Sequence, residues 1–453
     1  MQIIVFDDDP TGSQTVHSCP LLFKWDKETL IDGLNDHSPL LFLLANTRSL
    51  LPEVAAKRIR EISKLVHEAL SSQGLLLEEM LFVSRGDSTL RGHGVLEPRI
   101  IDEELGPFDA TLHVPAFFEG GRTTLNGVHL LNGLPVHTTP FAQDKTFGYS
   151  TSDLALWLEE KSKGLIEAKD VARLTIPVLD AAVDSKRGMS RLIDWLLQLS
   201  GNQFVVVDAQ APAQLAALGD AIKSLIGKKR FLFRSAASLI NGLAQLPTQP
   251  LDPSQLSSLR RRTKEGKFKP GLVTVGSHVP LADQQLEVLL GDNSCEGLEL
   301  KVNKIARLFS GEIPKDTLFD WHVEWKDQLM HLLRSGKTPV IFSSRGELQF
   351  STTIERITFG NALAELMANL VGGLSPELGY VISKGGITSH ILIEQGFKLD
   401  SVKLKGQLMP GLSVVSSASE NSLAYGLPII TFPGNLGQKD SLLNAWRLME
   451  NKS

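Results

Sequence analysis

The sequence predicts an α/β fold of two domains, each a mostly parallel sheet flanked by helices. Three observations predict it. Short apolar runs of strand type alternate with amphipathic stretches. The runs show little polar alternation, as expected of strands covered by helices on both faces. The alternation also breaks once, at a proline-rich and basic stretch, and then restarts. With 453 residues, 42% of them apolar and 21% charged, the chain has material for about two or three domains.

The first strands are IIVF near Ile3, LLFLLA from Leu40, MLFVS from Met80, ATLHV from Ala110, FVVVD from Phe204 and FLF from Phe231. Between the second and third, the stretch from Pro52 to Gly74 places Ala55, Ile59, Ile62, Val66 and Ala69 on one face at spacings of three and four. Proline at its start and glycine at its end mark a helix. The break comes at PTQPLDPSQ followed by RRRTKEGKFKPG, which divides the chain into domains at 1–246 and 271–453 joined by a linker at 247–270. The basic run Arg260, Arg261, Arg262, Lys264, Lys267 and Lys269 reads as a solvated helix or linker face. Strands and helices then resume with LVTVG, PLADQQLEVLL, TPVIFSS, a long helix through Asn361 to Leu370, YVIS and PIITF.

Composition narrows the function. A net charge of −5 gives no global attraction to polyanions, so the expected partner is a small molecule rather than nucleic acid or an anionic membrane. Cys19 and Cys295 lie far apart without a C-x-x-C, which encodes neither a disulfide framework nor a structural zinc site and fits a reducing cytosol. No apolar run reaches the roughly 18 residues that span a bilayer, and QIIVF at the N-terminus leaves no room for a signal peptide. A cytoplasmic protein is expected, its oligomeric state open.

Chemistry-bearing residues cluster at strand ends, where open α/β sheets bind ligands. After the first strand comes DDDPTGSQT, with Asp7, Asp8 and Asp9 beside Pro10, Thr11 and Gly12. Adjacent carboxylates repel and are kept together by a cation, a proton-transfer task or hydroxyl ligands. The third strand ends in SRGDSTLRGHG, offering Arg85, Asp87, Ser88, Thr89, Arg91 and His93, and guanidiniums beside hydroxyls suit a small carboxylate or phosphate. Arg48, in NTRS after the second strand, faces the same crevice. PAFFEGGRTTLNG adds Glu119, Arg122 and Asn126, on a segment that a plain loop explains as well. Gly92-x-Gly94 is no dinucleotide fingerprint, because Glu97 stands at the third glycine. In the second half, glycine turns follow three strands: VTVGSHVP around Gly276 and Ser277, ISKGGITSH from Ser383 to His390, and FPGNLGQKD around Gly434 and Gly437. Approachable backbone amides at such turns suit polyphosphate oxygens. A P-loop and an H-E-x-x-H are both absent.

The combination resembles the four-carbon acid sugar kinase family over nearly the whole chain. The acidic opening is similar to the family's D-D-x-T-G, DSTLRGH to its DSTLRG, and PAFFEGGRTTLNG to its P-A-F-P-x-x-G-R-T-x-x-N-G. In the second half GS at Gly276, GGITS and PGNLG are similar to its G-S, G-G-x-T-S and G-N-F-G. DDDPTGSQT in place of D-D-F-T-G-A, and Ile387 in place of an acidic residue, mark a divergent branch. The resemblance implies an ATP-dependent transferase acting on a hydroxyl of an acid such as threonate, erythronate or an oxo-tetronate, with Ser277, Gly385, Gly386, Ile387, Thr388 and Gly434 on the nucleotide. Phosphoryl transfer then assigns Arg91, with Arg48 beside it, to the acid's carboxylate, Asp8, Asp87 and Ser88 to its hydroxyls, and Asp8 in preference to Asp7 to the general base. Mg²⁺ accompanies ATP, its ligands not assigned, and closure about the linker expels water. Two other readings remain. IIVFDDDPT also fits the D-x-D-x-T opening of haloacid-dehalogenase-type phosphatases, with Asp7 as nucleophile, Asp9 as acid and base, and only Asp292 and Glu296 as a late acidic pair. A non-catalytic nucleotide or metabolite sensor would keep the same pockets.

Overall fold

The computed structural model describes residues 2–10, 12, 13, 15–345, 348, 350, 352–417 and 419–452. They form two units, Met1–Thr248 and Gln249–Ser453.

In the first unit the strands β1 (Ile3–Asp7), β2 (Pro20–Leu22), β3 (Leu40–Leu44), β4 (Leu81–Arg85) and β5 (Ala110–Val114) are followed by a hairpin of β6 (Arg122–Leu125), β7 (Val128–Leu131) and β8 (Leu134–Pro135). Then come β9 (Ala172–Leu174), β10 (Gln203–Val207) and β11 (Phe231–Ser235). Outside the hairpin they pair in the order β2-β3-β1-β4-β11-β5-β10-β9, every pairing parallel. β1, β3, β4, β5 and β11 are buried along their whole length, as strands without polar alternation should be. The helix Pro52–Ser72 buries the five apolar residues its spacing selected. Ile59, Ile62 and Val66 are fully enclosed, each worth about 1.5–3 kcal/mol of transfer free energy.

β3 lies on one side of β1 and β4 on the other, so the strand order reverses at β1 and opens a crevice beyond its carboxyl end. Register decides what meets there. Asp7 on β1 is level with Arg85 on β4, which is level with Ser235 on β11. One residue earlier, Ser84 on β4, Arg234 on β11 and His113 on β5 are level. Arg234 Nη1 donates to Ser84 Oγ at 2.8 Å and to Glu97 Oε2 at 2.6 Å. Glu97, near the start of the helix Leu96–Leu105, also accepts from Thr47 Oγ1 at 2.5 Å and from Ser84 Oγ at 3.0 Å. The residue that spoils a dinucleotide fingerprint is therefore a buried, fully paired carboxylate.

In the second unit β12 (Gly271–Val275), β13 (Cys295–Leu300), β14 (Thr338–Ser343), β15 (Tyr380–Lys384) and β18 (Ile429–Phe432) are parallel, while β17 (Leu412–Ser416) runs antiparallel to β18 and to β16 (Ser401–Met409). The order β13-β14-β12-β15-β18-β17-β16 reverses at β12. Within the segment read as a linker, Pro253–Leu259 forms a 3₁₀ helix whose Leu256 is fully buried in this unit's core. Arg260, expected to be solvated, is 7% exposed. It donates to the carbonyls of Met449 and Lys269 at 3.0 and 2.9 Å and to Glu450 at 3.0 Å, and it lies against the rings of Phe268 and Tyr380. Carbonyl and aromatic partners together replace the water that a guanidinium otherwise requires. Cys19 and Cys295 are both buried. Among the described residues no helix is long and apolar enough to cross a membrane.

Removing Glu97 strands the Arg234 charge inside the sheet. Glu97→Ala is expected to cost about 3–5 kcal/mol in urea denaturation. Arg99→Ala, which breaks an exposed ion pair with Glu103 on the same helix, should leave the unfolding midpoint unchanged.

Candidate functional site

The crevice beyond β1 and β4 gathers every residue the sequence assigned to substrate in the first unit. Asp7 and Asp8 are both buried. Arg48 grips Asp8 with Nη2 at 2.6 Å and Nε at 3.2 Å, and reaches Asp9 with Nη1 at 3.3 Å. Arg85 Nη1 stands 3.5 Å from Asp7 and 3.8 Å from Asp8, and Arg234 Nη2 stands 3.8 Å from Asp8. The three arginines answer the question raised by three consecutive acids. Glycines make room: a Cβ at Gly12 would collide with the Asp7 carboxylate, and one at Gly86 with the Arg234 guanidinium. Thr11 of the acidic opening lies outside the described residues.

The two leading aspartates differ. Asp8 has both oxygens on one guanidinium. Asp7 Oδ1 is buried without a hydrogen-bond partner. Burial pushes the Asp7 carboxyl up to about 8, with the neighbouring Asp8 and Asp9 charges adding to the rise and Arg85 and Arg48 opposing it. Asp87 goes the other way. Burial works against its charge, but Arg48, Arg91 and bonds from Thr89 and Arg91 hold it below the usual carboxylate range.

Arg91 donates Nε to Asp87 Oδ2 at 2.7 Å, and its guanidinium carbon lies 4.9 Å from the Phe141 ring centre. Asp87 and Arg91 line one cleft. Ser88 is buried beside them, and its carbonyl pairs with His129 Nε2 at 2.8 Å. Arg48 therefore anchors Asp8 and Asp9, whereas Arg91 keeps its Nη2 edge outside the Asp87 contact. Arg122 belongs near this group, because the charges of Asp87 and Arg91 both act on it, and its Nε has no partner. Asn126 serves the hairpin. With Gly127 it forms the turn between β6 and β7, both at positive φ as a type I′ turn requires, and Asp208 accepts from both backbone amides.

In the second unit the ends of β12, β15 and β18 bring the three glycine turns into one place. Gly385 holds φ +122°, a conformation side chains avoid, and a Cβ on it would sit 3.1 Å from Thr388 Oγ1 and 3.3 Å from the Ser277 amide nitrogen. A Cβ on Gly434 would strike Ser277 Oγ. Ser277, Gly385, Thr388 and Gly434 are thus mutual neighbours. Gly386 opens the helix Gly386–Ile391, and the Ile387 side chain is exposed, so any part it plays runs through its backbone. Such a cradle, which Cβ atoms would fill, fits phosphate oxygens.

Two residues here escaped sequence reasoning. Lys384, last in β15, is fully buried and donates Nζ to the carbonyls of Pro433 and Gly434 at 2.9 and 3.1 Å. Burial pushes its ammonium down to about 7. Its place directly before Gly385-Gly386 was the available signal. Arg345, after β14, donates Nη1 to the Ser277 carbonyl at 2.6 Å and pairs with Asp283 at 2.9 Å, while its Nε and Nη2 are buried without partners. No pattern marked it. The late acidic pair of the phosphatase reading finds no support. Glu296 lies at the amino end of β13 on Lys337, and Asp292 caps the Ser294 amide. Among the described residues no group of three or more His, Cys, Asp or Glu side chains could hold a metal ion.

Comparison with known proteins agrees with this division of labour. Residues 3–243 match a sugar-binding N-terminal domain and residues 272–442 a nucleotide-binding C-terminal domain. A D-erythronate kinase of Heliobacterium modesticaldum (strain ATCC 51547 / Ice1) is 23% identical over 300 residues, 63% of this chain; the chain spans 60% of that curated relative's length. Two solved structures, each 17% identical, share the fold. The Haemophilus influenzae protein HI1011 superposes with a TM-score of 0.63, covering 99% of this chain and 100% of its own. A Salmonella typhimurium LT2 protein gives 0.67, covering 98% of each. The chain belongs to the family that joins a sugar-binding N-terminal domain to a nucleotide-binding C-terminal domain, the architecture of the four-carbon acid sugar kinases.

Proposed function

We propose that the protein transfers the terminal phosphoryl group of ATP to a hydroxyl of a four-carbon acid sugar. The observation that carries this reading is the Asp87–Arg91 pair on one cleft wall. An ionised carboxylate accepts from the acid's hydroxyls, and a guanidinium with a free edge holds its carboxylate. The name of the curated relative, a D-erythronate kinase, favours the same substrate class.

In the reaction the acceptor oxygen attacks the terminal phosphorus, the bond from phosphorus to the departing ADP oxygen breaks, and the hydroxyl proton passes to a base. We assign the base to Asp7 rather than to Asp8. A base works best with a proton affinity near the operating pH, and Asp7 is set near 8 with one oxygen unpaired, whereas both oxygens of Asp8 are engaged by Arg48. The glycine cradle takes the phosphates, with Arg345 and Lys384 supplying positive charge beside it. Mg²⁺ needs no protein cage for this, since it can be carried largely on phosphate oxygens and water.

Three expectations follow from these assignments. Gly385→Ala forces a side chain into a left-handed conformation against Ser277 and should weaken ADP binding at least tenfold by calorimetry, with acid binding unchanged. Arg91→Lys loses a two-pronged grip and should cost about 2–3 kcal/mol, about 30- to 150-fold in kcat/KM for the acid, with ADP affinity intact. Unchanged acid kinetics would return Arg91 to a structural role.

Asp7→Asn should lower turnover about 10²- to 10⁴-fold. It should also abolish the rise of kcat/KM with pH that ends near 8 in the unaltered enzyme. The folded-state value lies above the ordinary carboxylate range, so the stability that the protonated acid confers is present at low pH and declines as pH rises from about 4 to about 8. Asp7→Asn cannot ionise and should gain on the unaltered protein across that interval in chemical denaturation. A parallel pH dependence in both proteins would refute the assignment.

A further inference from the structure

The cleft that carries Asp87 and Arg91 has a second polar wall. His113 Nε2 and Trp157 Nε1 are buried and lack hydrogen-bond partners, and both residues line this same cleft together with Arg234 and Ser235. Each is 3% exposed. Buried polar atoms in folded proteins are nearly always paired, so two orphans on one cavity wall point to something that enters and pairs them.

Their placement is over-determined. His113, on β5, is level with Arg234 on β11 and Val206 on β10. Its ring is flanked by Trp157 and Phe204, with centroids 6.5 and 6.0 Å away. Trp157 lies on the helix Leu154–Ser162, whose start is capped by Asp153. Its indole fits against Gly94, where a Cβ would fall 2.5 Å from the ring. Gly94, in LRGHG, thus makes room for the tryptophan.

The wall offers no unanswered charge: Arg234, which lines it, is already paired with Glu97 and stands 3.8 Å from Asp8. Burial, with the Arg234 charge beside it, pushes the His113 imidazole down to about 3, so it is neutral at any working pH. An indole N–H can only donate, and a neutral imidazole nitrogen donates or accepts according to its tautomer. A hydroxyl satisfies both, and a keto oxygen satisfies a donor. A carboxylate here would lose its hydration to two neutral partners and a guanidinium whose charge Glu97 already answers.

We propose that His113 and Trp157 form a subsite for the uncharged oxygens of the acid, so that the enzyme selects acids with one carboxylate, held at Arg91, and a hydroxyl or keto group at the other end. The proposal rests on the reading of this cleft as the acid site. It excludes dicarboxylates of the same chain length.

The test uses the full-length protein, Trp157→Phe and His113→Phe, with calorimetric titrations of D-erythronate, D-threonate, 3-hydroxybutanoate and tartrate, and of ADP as the control for intact folding. The unaltered protein should bind a hydroxylated monocarboxylate at least tenfold more tightly than tartrate. Trp157→Phe, which removes one N–H and keeps a ring, should weaken that acid at least tenfold while changing 3-hydroxybutanoate and ADP less than twofold. His113→Phe should give the same pattern. Equal losses for the fully hydroxylated acid and for 3-hydroxybutanoate, which lacks the hydroxyls at C2 and C4, or no loss in either variant, would overturn the subsite and leave the orphan nitrogens to a buried water. Absence of binding for every acid to the unaltered protein would overturn the acid-site reading, and the subsite with it.

Discussion

Arg234 carries the charge around which the sugar-binding unit is arranged. Its guanidinium is enclosed between sheet and helix, bound to Glu97 and Ser84 and 3.8 Å from Asp8. A guanidinium cannot shed its proton at any relevant pH, so the surroundings must supply acceptors. Glu97 ties the helix Leu96–Leu105 to the strand, Ser84 ties β4 to β11, and the absence of a side chain at Gly86 lets the guanidinium lie flat against the turn. Asp8, Arg48 and Arg85 are then stacked outward from this core toward the crevice. These guanidiniums explain how three consecutive aspartates are tolerated at one strand end, while Asp7 Oδ1 stays buried without a hydrogen-bond partner.

The second unit solves a similar problem with a carboxylate on Arg345, that of Asp283, but none on Lys384 among the described contacts. Its strand order also reverses, at β12, but the residues that converge beyond it are glycines and small hydroxyls. Lys384 is bonded to the carbonyls of Pro433 and Gly434, and Arg345 to the Ser277 carbonyl and to Asp283. Carbonyl dipoles compensate a cation only in part, which leaves Lys384, when protonated, more attraction to spare for an anion than a carboxylate partner would.

Much of this was legible in the sequence. Strands such as Ile3–Asp7 and Phe231–Ser235 show themselves because burial on both faces leaves only apolar side chains. The helix Pro52–Ser72 declares its face and both ends. Strands β2 and β9 did not, being three residues each. β16 carried a signal that was passed over: Val402, Leu404 and Leu408 are buried between exposed or half-buried lysines and a glutamine, the alternation of a strand with one wet face. At the site, motifs found Asp7, Asp8, Asp87 and Arg91, because loops after strands announce themselves through glycine and charge. Arg234, His113 and Trp157 stayed hidden. They sit inside a strand or a helix, where composition carries no mark of function, and only register places Arg234 and His113 side by side.

Asp7, Arg85, Arg234, His113 and Lys384 stand in strands and Trp157 in a helix, but the other candidate residues of both sites lie past the carboxyl ends of strands, outside the backbone ladders that hold each sheet together. Side chains in those loops can be exchanged without breaking a ladder bond or opening the apolar layers beneath. The proposed acceptor crevice draws on the ends of β1, β3 and β4 and the proposed nucleotide cradle on those of β12, β15 and β18, so the two share no segment of chain. On the proposed function, recognition of the acid is free to drift in evolution while the phosphate cradle stays fixed, and a lineage can acquire a new acceptor without having to invent a new fold.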